Sequence, residues 1–272
     1  MKELKHKPGK PLAISALLLI LLIGVQNEVL AEPGWVLRQH TPVGLYNVFI
    51  ARDKVRVEEI KTHYSIVSRA PEWKVCAYRN DKRTICEVTP QRWLSNGLFT
   101  MNERSLVKPI KPGIKPTTKI LSKIKYLEYR LPLKNTRRFS NGRIVDIRGF
   151  MDSESTVKTI HSDHANFLVS PQISKNKKII EFLGSLFVVP IGEGVPINFT
   201  IKYDNGIEHK PLMTSRIREA NLADSLFSIP RGYKPVKDVQ NITTGHRSGE
   251  IDDMIRDLGL GDSFGKSGKT SK

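Results

Sequence analysis

Residues 35–88 carry the pattern that most limits the fold: short apolar segments that alternate with polar residues and are separated by polar turns. The segments are 45–50, 55–60 and 62–67, of which 55–60 alternates most clearly, and Arg52 and Asp53 form the turn between the first two. Such alternation places one face of a strand on a core and the other face in solvent. The block therefore predicts an antiparallel meander within a mainly β fold.

The last hairpin of this block contains the only two cysteines of the chain, Cys76 and Cys86. Two β-rich stretches flank a polar centre, and folding the chain about Asp81 would place the two cysteines opposite each other. In an oxidising compartment this pair is expected to form a cross-strand disulfide, which contributes about 2–3 kcal/mol. A redox pair or half of a metal site is less favoured, because the spacing is not Cys-x-x-Cys and no second pair of ligands exists.

The middle of the chain is rich in lysine and proline. The Lys-Pro repeat at 108–116 rules out a regular helix and indicates an extended connector or a long surface loop. The stretch 117–139 fits a helix or a strand equally well. A short strand is expected at 143–148, and the polar segment 151–175 has no assignment.

The pattern becomes clear again after residue 174. Apolar residues recur on one helical face over 174–187, which predicts an amphipathic helix. Strands are expected at 195–203 and at about 211–217, joined by the turn residues 204–206 (Asp-Asn-Gly).

A secretory signal peptide is expected at residues 1–31. Four lysines precede the uncharged run 12–25, and Ala31 precedes Glu32 at the expected cleavage site. The run is shorter than the roughly 20 apolar residues that span a bilayer, and no later segment is apolar enough. We therefore expect an exported chain, periplasmic or secreted, without a transmembrane helix after cleavage.

The expected organisation is a signal peptide, one β-rich domain at 32–240 with a basic insertion around 108–139, and a flexible polar tail at 241–272. The chain contains 44 Lys and Arg against 27 Asp and Glu, a net charge of +17. The predicted basic patch consists of Lys119, Lys123, Lys125, Arg137 and Arg138. A basic exported surface attracts anionic lipid, an anionic envelope polymer or an acidic protein. Export argues against nucleic acid, and a lysine-rich surface that only aids solubility is the alternative interpretation.

Patterns typical of enzymes are weak in this sequence. There is no Gly-x-Ser-x-Gly elbow and no phosphate-binding loop, and no cofactor is expected. The densest set of metal-ligand types is His161, Asp163 and His164, and the two histidines would share a face on a helix. The polar surroundings are more typical of an exposed loop. We expect no catalytic residues; the competing hypothesis of a metal-dependent or hydrolytic enzyme requires these three residues to converge on a pocket.

The ending of the domain resembles a known family. The helix at 174–187, the strand beginning Gly194-Val-Pro-Ile-Asn-Phe199, and the segment Leu226-Phe-Ser-Ile-Pro-Arg-Gly-Tyr-Lys234 are similar to the ending of periplasmic lipoprotein-carrier-like (Lol carrier-like) domains. The early meander fits the start of that fold, so the resemblance covers about 35–90 and 174–236. It implies a mainly β fold with few helices (α+β), in which a curved, half-open antiparallel sheet surrounds a covering helix. It also implies that Phe227 and Tyr233 are core and turn residues.

The resemblance also carries an expected function. Family members hold acyl chains in the apolar concavity of the sheet, so we expect an exported, non-enzymatic protein that binds an apolar or acylated ligand, such as a lipid or a lipoprotein. The alternative is a basic structural or regulatory module at the cell envelope that docks an acidic partner or an anionic polymer.

Overall fold

The computed structural model describes residues 31–95, 106–132, 136–140, 143–145 and 158–243; the side chains of Leu94 and of residues 136–163 are not described. This part of the chain is mainly β and contains fourteen strands, three helices and one 3₁₀ turn. The first seven strands are β1 (Ala31–Thr41), β2 (Gly44–Ile50), β3 (Lys54–Glu59), β4 (Tyr64–Arg69), β5 (Val75–Arg79), β6 (Thr84–Val88) and β7 (Thr117–Leu121). The others are β8 (Ile124–Leu131), β9 (Thr136–Ser140), β10 (Arg143–Val145), β11 (Lys158–Ser170), β12 (Val195–Tyr203), β13 (Glu208–Ala223) and β14 (Lys234–Pro235). The helices are α1 (Pro90–Ser95), α2 (Lys177–Phe187) and α3 (Gln240–Thr243), and the 3₁₀ turn is Asp224–Phe227.

All fourteen strands belong to one open sheet. Its order is β10-β9-β11-β12-β13-β1-β2-β3-β4-β5-β6-β14, with β8 also paired to β11 and β7 paired to β8. Every pairing is antiparallel except that of β14 with β6. Within the described ranges no pairing joins β10 to β14, so the sheet does not close. The predicted mainly β fold with a half-open, mostly antiparallel sheet is confirmed at this level.

The inner face of the sheet and helix α2 share one hydrophobic core. The core contains Leu37, Val48 and Phe199 from the sheet together with Ile179 and Leu183 from the helix. The predicted helix at 174–187 is confirmed as α2. It begins at Lys177, because the Asn176 side chain caps it by accepting a hydrogen bond from the Lys178 backbone N–H at 3.0 Å. Val188 ends the helix in the left-handed conformation at φ 55°.

The outer face of the sheet is covered by residues 224–235, which we call the strap. The strap leaves β13, crosses the outer face, and ends in β14 beside β6. Phe227 is fully buried against Val36, Val67 and Tyr78 of the outer face, which confirms its expected core role. The Tyr233 hydroxyl donates a hydrogen bond to Asn80 Oδ1 at 2.9 Å.

Three expectations about secondary structure need correction or completion. The unassigned segment 151–175 contains β11, a long strand inside the sheet. The described part of the ambiguous stretch 117–139 forms strands β7, β8 and part of β9 rather than a helix. The expected tail at 241–272 begins inside helix α3, whose Ile242 is fully buried in the inner core.

The predicted disulfide is wrong in this structure, although the hairpin that contains it is present. Strands β5 and β6 pair Cys76 with Glu87 and Ala77 with Cys86. This register is one residue away from the predicted one, and a shift of one residue moves a side chain to the opposite face of the sheet. Cys76 and Cys86 are therefore buried free thiols on opposite faces.

Some expectations lie outside the described residues. These are the signal peptide up to residue 30 and the polar tail from residue 244 onward. Ala31, the residue before the expected cleavage site, is the first residue of β1. Among the described residues, no helix is both long enough and apolar enough to cross a membrane.

Candidate functional site

An apolar cavity of about 190 Å³ lies at one end of the sheet, between the sheet and the C-terminal end of α2. We call it the mouth cavity. Side chains from β2, β4, β12, α1 and α2 meet there, and the turn after β1 forms its rim. The lining residues are Thr41, Pro42, Val43, Tyr46, Tyr64, Trp93, Leu106, Leu186, Phe187, Val188, Ile201, His209 and Pro211. Val43 on the rim is 65% exposed, so the cavity opens to solvent beside an exposed apolar side chain.

The aromatic side chains of the cavity are held by the packing of α2 against the sheet. The rings of Tyr46 and Phe187 meet edge to face, with centroids 5.5 Å apart. Such pairs add about 0.5–1.5 kcal/mol to the burial of their area. The wall is therefore built from rigid rings on regular elements.

Two tyrosine hydroxyls, together with Thr41 and His209, supply the polar part of the wall. The Tyr46 and Tyr64 hydroxyl oxygens lie 3.2 Å apart. Burial raises the pKa of Tyr64 well above its ordinary value, and the neighbouring Tyr46 raises it further. Tyr64 therefore keeps its proton near neutral pH and can act as a hydrogen-bond donor.

A buried carboxylate supports this tyrosine pair from the side of the β3–β4 turn. Glu59 is only 4% exposed, and its Oε2 accepts hydrogen bonds from the Thr62 backbone N–H and from Thr62 Oγ1. A Cβ atom added at Gly44 would lie 3.0 Å from both Glu59 Oε1 and Tyr46 Oη. The absence of a side chain at Gly44 lets the carboxylate and the hydroxyl approach the same point.

Trp93 adds an indole to the cavity wall. Its side chain is 3% exposed, and its Nε1 atom is buried without a hydrogen-bond partner among the described residues. A buried donor without a partner costs about 1–3 kcal/mol. Among the described residues, the Trp93 indole is therefore an unused hydrogen-bond donor in the cavity wall.

The residues proposed for metal binding do not gain support from their position. His161, Asp163 and His164 lie in strand β11, and not in the helix that would place the two histidines on one face or in the exposed loop that their polar surroundings suggested. The side chains of His161 and Asp163 are outside the described part, and His164 Nδ1 lies 3.5 Å from Arg130 Nη2. Where side chains are described, no group of three His, Cys, Asp or Glu residues is placed to hold a metal ion.

The predicted basic patch is distributed over the β7–β8 hairpin and β9. Lys119 lies in β7 and forms an ion pair with Glu128 at 2.5 Å, while Lys123 and Lys125 are exposed at and after the hairpin turn. Arg137 and Arg138 lie in β9, where side chains are not described. The lysines therefore share one hairpin, and whether they bind a partner stays a prediction.

The sequence did not predict the mouth cavity, because its walls come from segments that are far apart in the chain. Tyr46, Trp93, Phe187 and His209 meet only through the sheet order and the return of α2 across the sheet. The alternation in β2 marks Tyr46 as a buried position, but nothing in the sequence indicates its neighbours. Leu106, another lining residue, directly precedes the Lys-Pro repeat at 108–116, and for this part of the wall the sequence predicted only an extended connector.

The fold and the cavity together define a class: a mainly β protein whose open sheet holds a helix on one face and an apolar cavity at one end. A scan against protein-family models finds no match, and a search of curated proteins finds none either. Among solved structures, the chain is similar to an uncharacterized conserved protein from Thermus thermophilus, with 11% sequence identity and a TM-score of 0.37. That similarity covers 82% of this chain and 99% of the other. The expected relation to Lol carriers stays a prediction.

Proposed function

We propose that this protein is an exported, non-enzymatic binding protein that holds the apolar chain of a lipid or of an acylated protein in the mouth cavity. The observation that carries the proposal is the cavity itself, with apolar walls from both α2 and the sheet and an opening beside Val43. Ligand sites are typically concave, mostly apolar and equipped with a few polar groups. The mouth cavity has this composition.

The polar groups favour an amphipathic ligand over a pure hydrocarbon. The Tyr46 and Tyr64 hydroxyls are buried at the wall, and Tyr64 keeps its proton near neutral pH. A carbonyl or ester oxygen of the ligand would accept a hydrogen bond from this pair. Its apolar chain would then contact Leu186, Phe187 and Ile201.

The size of the cavity limits how the ligand enters. Its volume of about 190 Å³ is below the roughly 300–1,000 Å³ of ordinary ligand sites. Binding therefore admits only the end of one chain, unless the wall moves. Leu106 is half-buried and belongs to the connector rather than to the sheet, so we expect this part of the wall to move.

The export part of the proposal rests on the signal-peptide pattern. Cleavage after Ala31 would remove one residue from β1 and keep the pairing of Glu32 with Leu222. Glu32 also forms an ion pair with Lys54 at 2.8 Å, which would fix the new N-terminus. N-terminal sequencing of the protein from its own host tests this part, and a mature chain that still contains residues 1–31 would refute it.

The binding part is tested with a fluorescent acyl probe and with native mass spectrometry of protein from its own host. Val43→Trp places an indole at the rim and should weaken probe binding at least about tenfold, since it obstructs the opening. The control is Ile207→Trp, which places the same indole at a 40% exposed turn position that does not line the cavity. The proposal fails if no lipid co-purifies and the probe does not bind, or if both variants weaken binding equally.

A further inference from the structure

The strongest unassigned feature is the tip of the β7–β8 hairpin, where two large aliphatic side chains face solvent. Ile120 is 71% exposed and Leu121 is 55% exposed, and every residue of β7 is exposed. The two residues directly precede the turn formed by Ser122 and Lys123. Because adjacent residues of a strand point to opposite faces, Ile120 and Leu121 lie on the two sides of the hairpin, and a surface that meets the hairpin end-on would bury both.

The backbone of the tip is sharply defined. Ser122 and Lys123 both have positive φ angles, 49° and 66°, which is the signature of a two-residue type I′ turn. Such turns normally use Asn-Gly, because residues with a Cβ are strained there. The chain keeps Ser-Lys at this position, so it presents a lysine at the tip at the expense of local strain.

Lysines outnumber acidic residues in the two segments around the tip. Residues 106–128 contain six lysines and one acidic residue, Glu128, which pairs with Lys119, and residues 171–181 contain three lysines and one acidic residue, Glu181, which pairs with Lys178. The two segments are in contact, because the Lys125 backbone N–H donates a hydrogen bond to Gln172 Oε1 at 2.9 Å. The aliphatic tip therefore projects from a basic surface.

The lysines at the start of α2 strengthen this interpretation. Lys175, Lys177 and Lys178 are exposed around the helix N-terminus, and the first turn contains no acidic residue. The helix macrodipole is positive at this end, so it disfavours lysine there. An external negative surface would relieve both the repulsion among the lysines and their repulsion from the helix end.

We propose that the β7–β8 hairpin docks this protein on an anionic lipid bilayer, with Ile120 and Leu121 inserted at the headgroup boundary and Lys123 and Lys125 against the headgroups. Peripheral membrane binding combines buried apolar area with attraction to anionic lipid in this way. An acidic protein or an anionic polymer would satisfy the lysines but would not require two exposed aliphatic side chains. The inference does not depend on the mouth cavity.

The test is sedimentation of the mature chain with phosphatidylglycerol vesicles and with phosphatidylcholine vesicles, at about 0.1 M ionic strength. We expect binding to the anionic vesicles only. Ile120→Ser/Leu121→Ser should reduce the partition coefficient at least about tenfold, because it removes the apolar contribution. Lys123→Glu/Lys125→Glu should reduce it by roughly twenty-fivefold or more, since each lysine near an anionic surface contributes roughly fivefold.

The matched control is Lys61→Glu/Lys234→Glu, which changes the net charge equally. Both control lysines are exposed, and both lie at the other end of the sheet: Lys61 in the β3–β4 turn and Lys234 beside the start of β6. This control should leave vesicle binding within about twofold of the unchanged protein, because charges farther than a Debye length from the surface are screened.

Three results would overturn the proposal. The first is the absence of binding to anionic vesicles, which would include the case of a purely protein or polymer partner. The second is an equal loss of binding in the control and in the hairpin variants, which would indicate attraction by net charge alone. The third is a dimer in solution that Ile120→Ser/Leu121→Ser converts to a monomer, which would make the tip a contact between two copies of this chain.

Discussion

Replacing Arg56 by methionine should loosen the strap, because the Arg56 guanidinium joins the sheet to the strap through a part-buried hydrogen bond. Arg56 Nη1 donates a hydrogen bond to the Leu226 carbonyl at 2.7 Å, and Nη2 donates one to Ser65 Oγ at 3.2 Å. The guanidinium also lies 5.7 Å from the ring centre of Tyr78. Methionine keeps the apolar stem of the side chain and removes these contacts.

The size of the effect follows from these contacts. The charged hydrogen bond to Leu226 contributes about 1.5–3 kcal/mol, the bond to Ser65 about 1 kcal/mol, and the ring contact about 0.5–1 kcal/mol. One contribution has the opposite sign. Arg56 Nε is buried without a partner among the described residues, so removing it should raise the unfolding free energy by about 1–2 kcal/mol. The ion pair with Glu58 adds little, because Glu58 is 30% exposed. The net loss of unfolding free energy should be about 2 kcal/mol.

Urea denaturation followed by circular dichroism measures this loss directly. With a slope of about 3 kcal/mol/M for a domain of this size, the midpoint should fall by about 0.7 M. Limited proteolysis should cut the variant first within residues 224–235. The control Arg52→Met, at an exposed position, should stay within about 0.5 kcal/mol of the unchanged protein. An unchanged midpoint, or a lower midpoint without faster cleavage of the strap, would refute the reasoning.

Three further predictions concern the thiols, a buried guanidinium and a glycine. Burial and the nearby Glu87 carboxylate raise the pKa of Cys76 to about 12, so we expect alkylation of this thiol to be slow in the folded protein. In urea without reductant, titration should find two free thiols per chain, and a count of zero would indicate a disulfide. The hydrogen bond from Arg79 lowers the pKa of Asp81 to about 2, so this contribution to stability should be present above pH 4 and lost as the pH falls toward 2. Because the Asp81 side chain is 44% exposed and solvent screens the pair, Asp81→Asn should lose only about 1 kcal/mol at pH 7 and show no such acid dependence in urea titrations. A Cβ at Gly194 would lie 2.4 Å from a backbone carbonyl carbon at the end of β11, so Gly194→Ala should cost about 3 kcal/mol or more in thermal or urea unfolding, whereas Gly113→Ala, with nothing within 4 Å, should be neutral.

The sequence predicts the elements that alternate regularly and fails where alternation is interrupted. In β2 and β3 the buried residues recur at every second position, as the alternation in the sequence predicts, whereas β4 is buried on both faces. Strand β11 was missed because its first half is polar and carries two histidines, so that apart from Ile160 its apolar residues lie in its second half. Its place in the sheet follows from pairing with β8, β9 and β12, which is long-range information.

The predicted disulfide fails because of an error of one residue in the register of the hairpin. The predicted hairpin is correct in its two strands, but the turn contains one more residue on one side than the prediction assumed, since Arg79 pairs with Thr84. Because side chains alternate across a strand, this single step separates Cys76 from Cys86. The turn geometry, with Arg83 at φ 48°, sets the register and is not evident from the residue types.

The directions of the strands relate the two proposed surfaces to each other. Strand β8 is antiparallel to β11, and three further antiparallel steps through β12 and β13 lead to β1, so β8 and β1 run in the same direction. The rim of the mouth cavity follows the end of β1, whereas the hairpin tip precedes the start of β8, so they lie at opposite ends of the sheet. A protein docked through the tip would therefore turn the mouth cavity away from the bilayer. If both proposals hold, the ligand is exchanged with the aqueous side, and vesicle-bound protein should bind the acyl probe from solution as well as free protein does. A probe excluded by docking would contradict this arrangement and leave at most one of the two proposals standing.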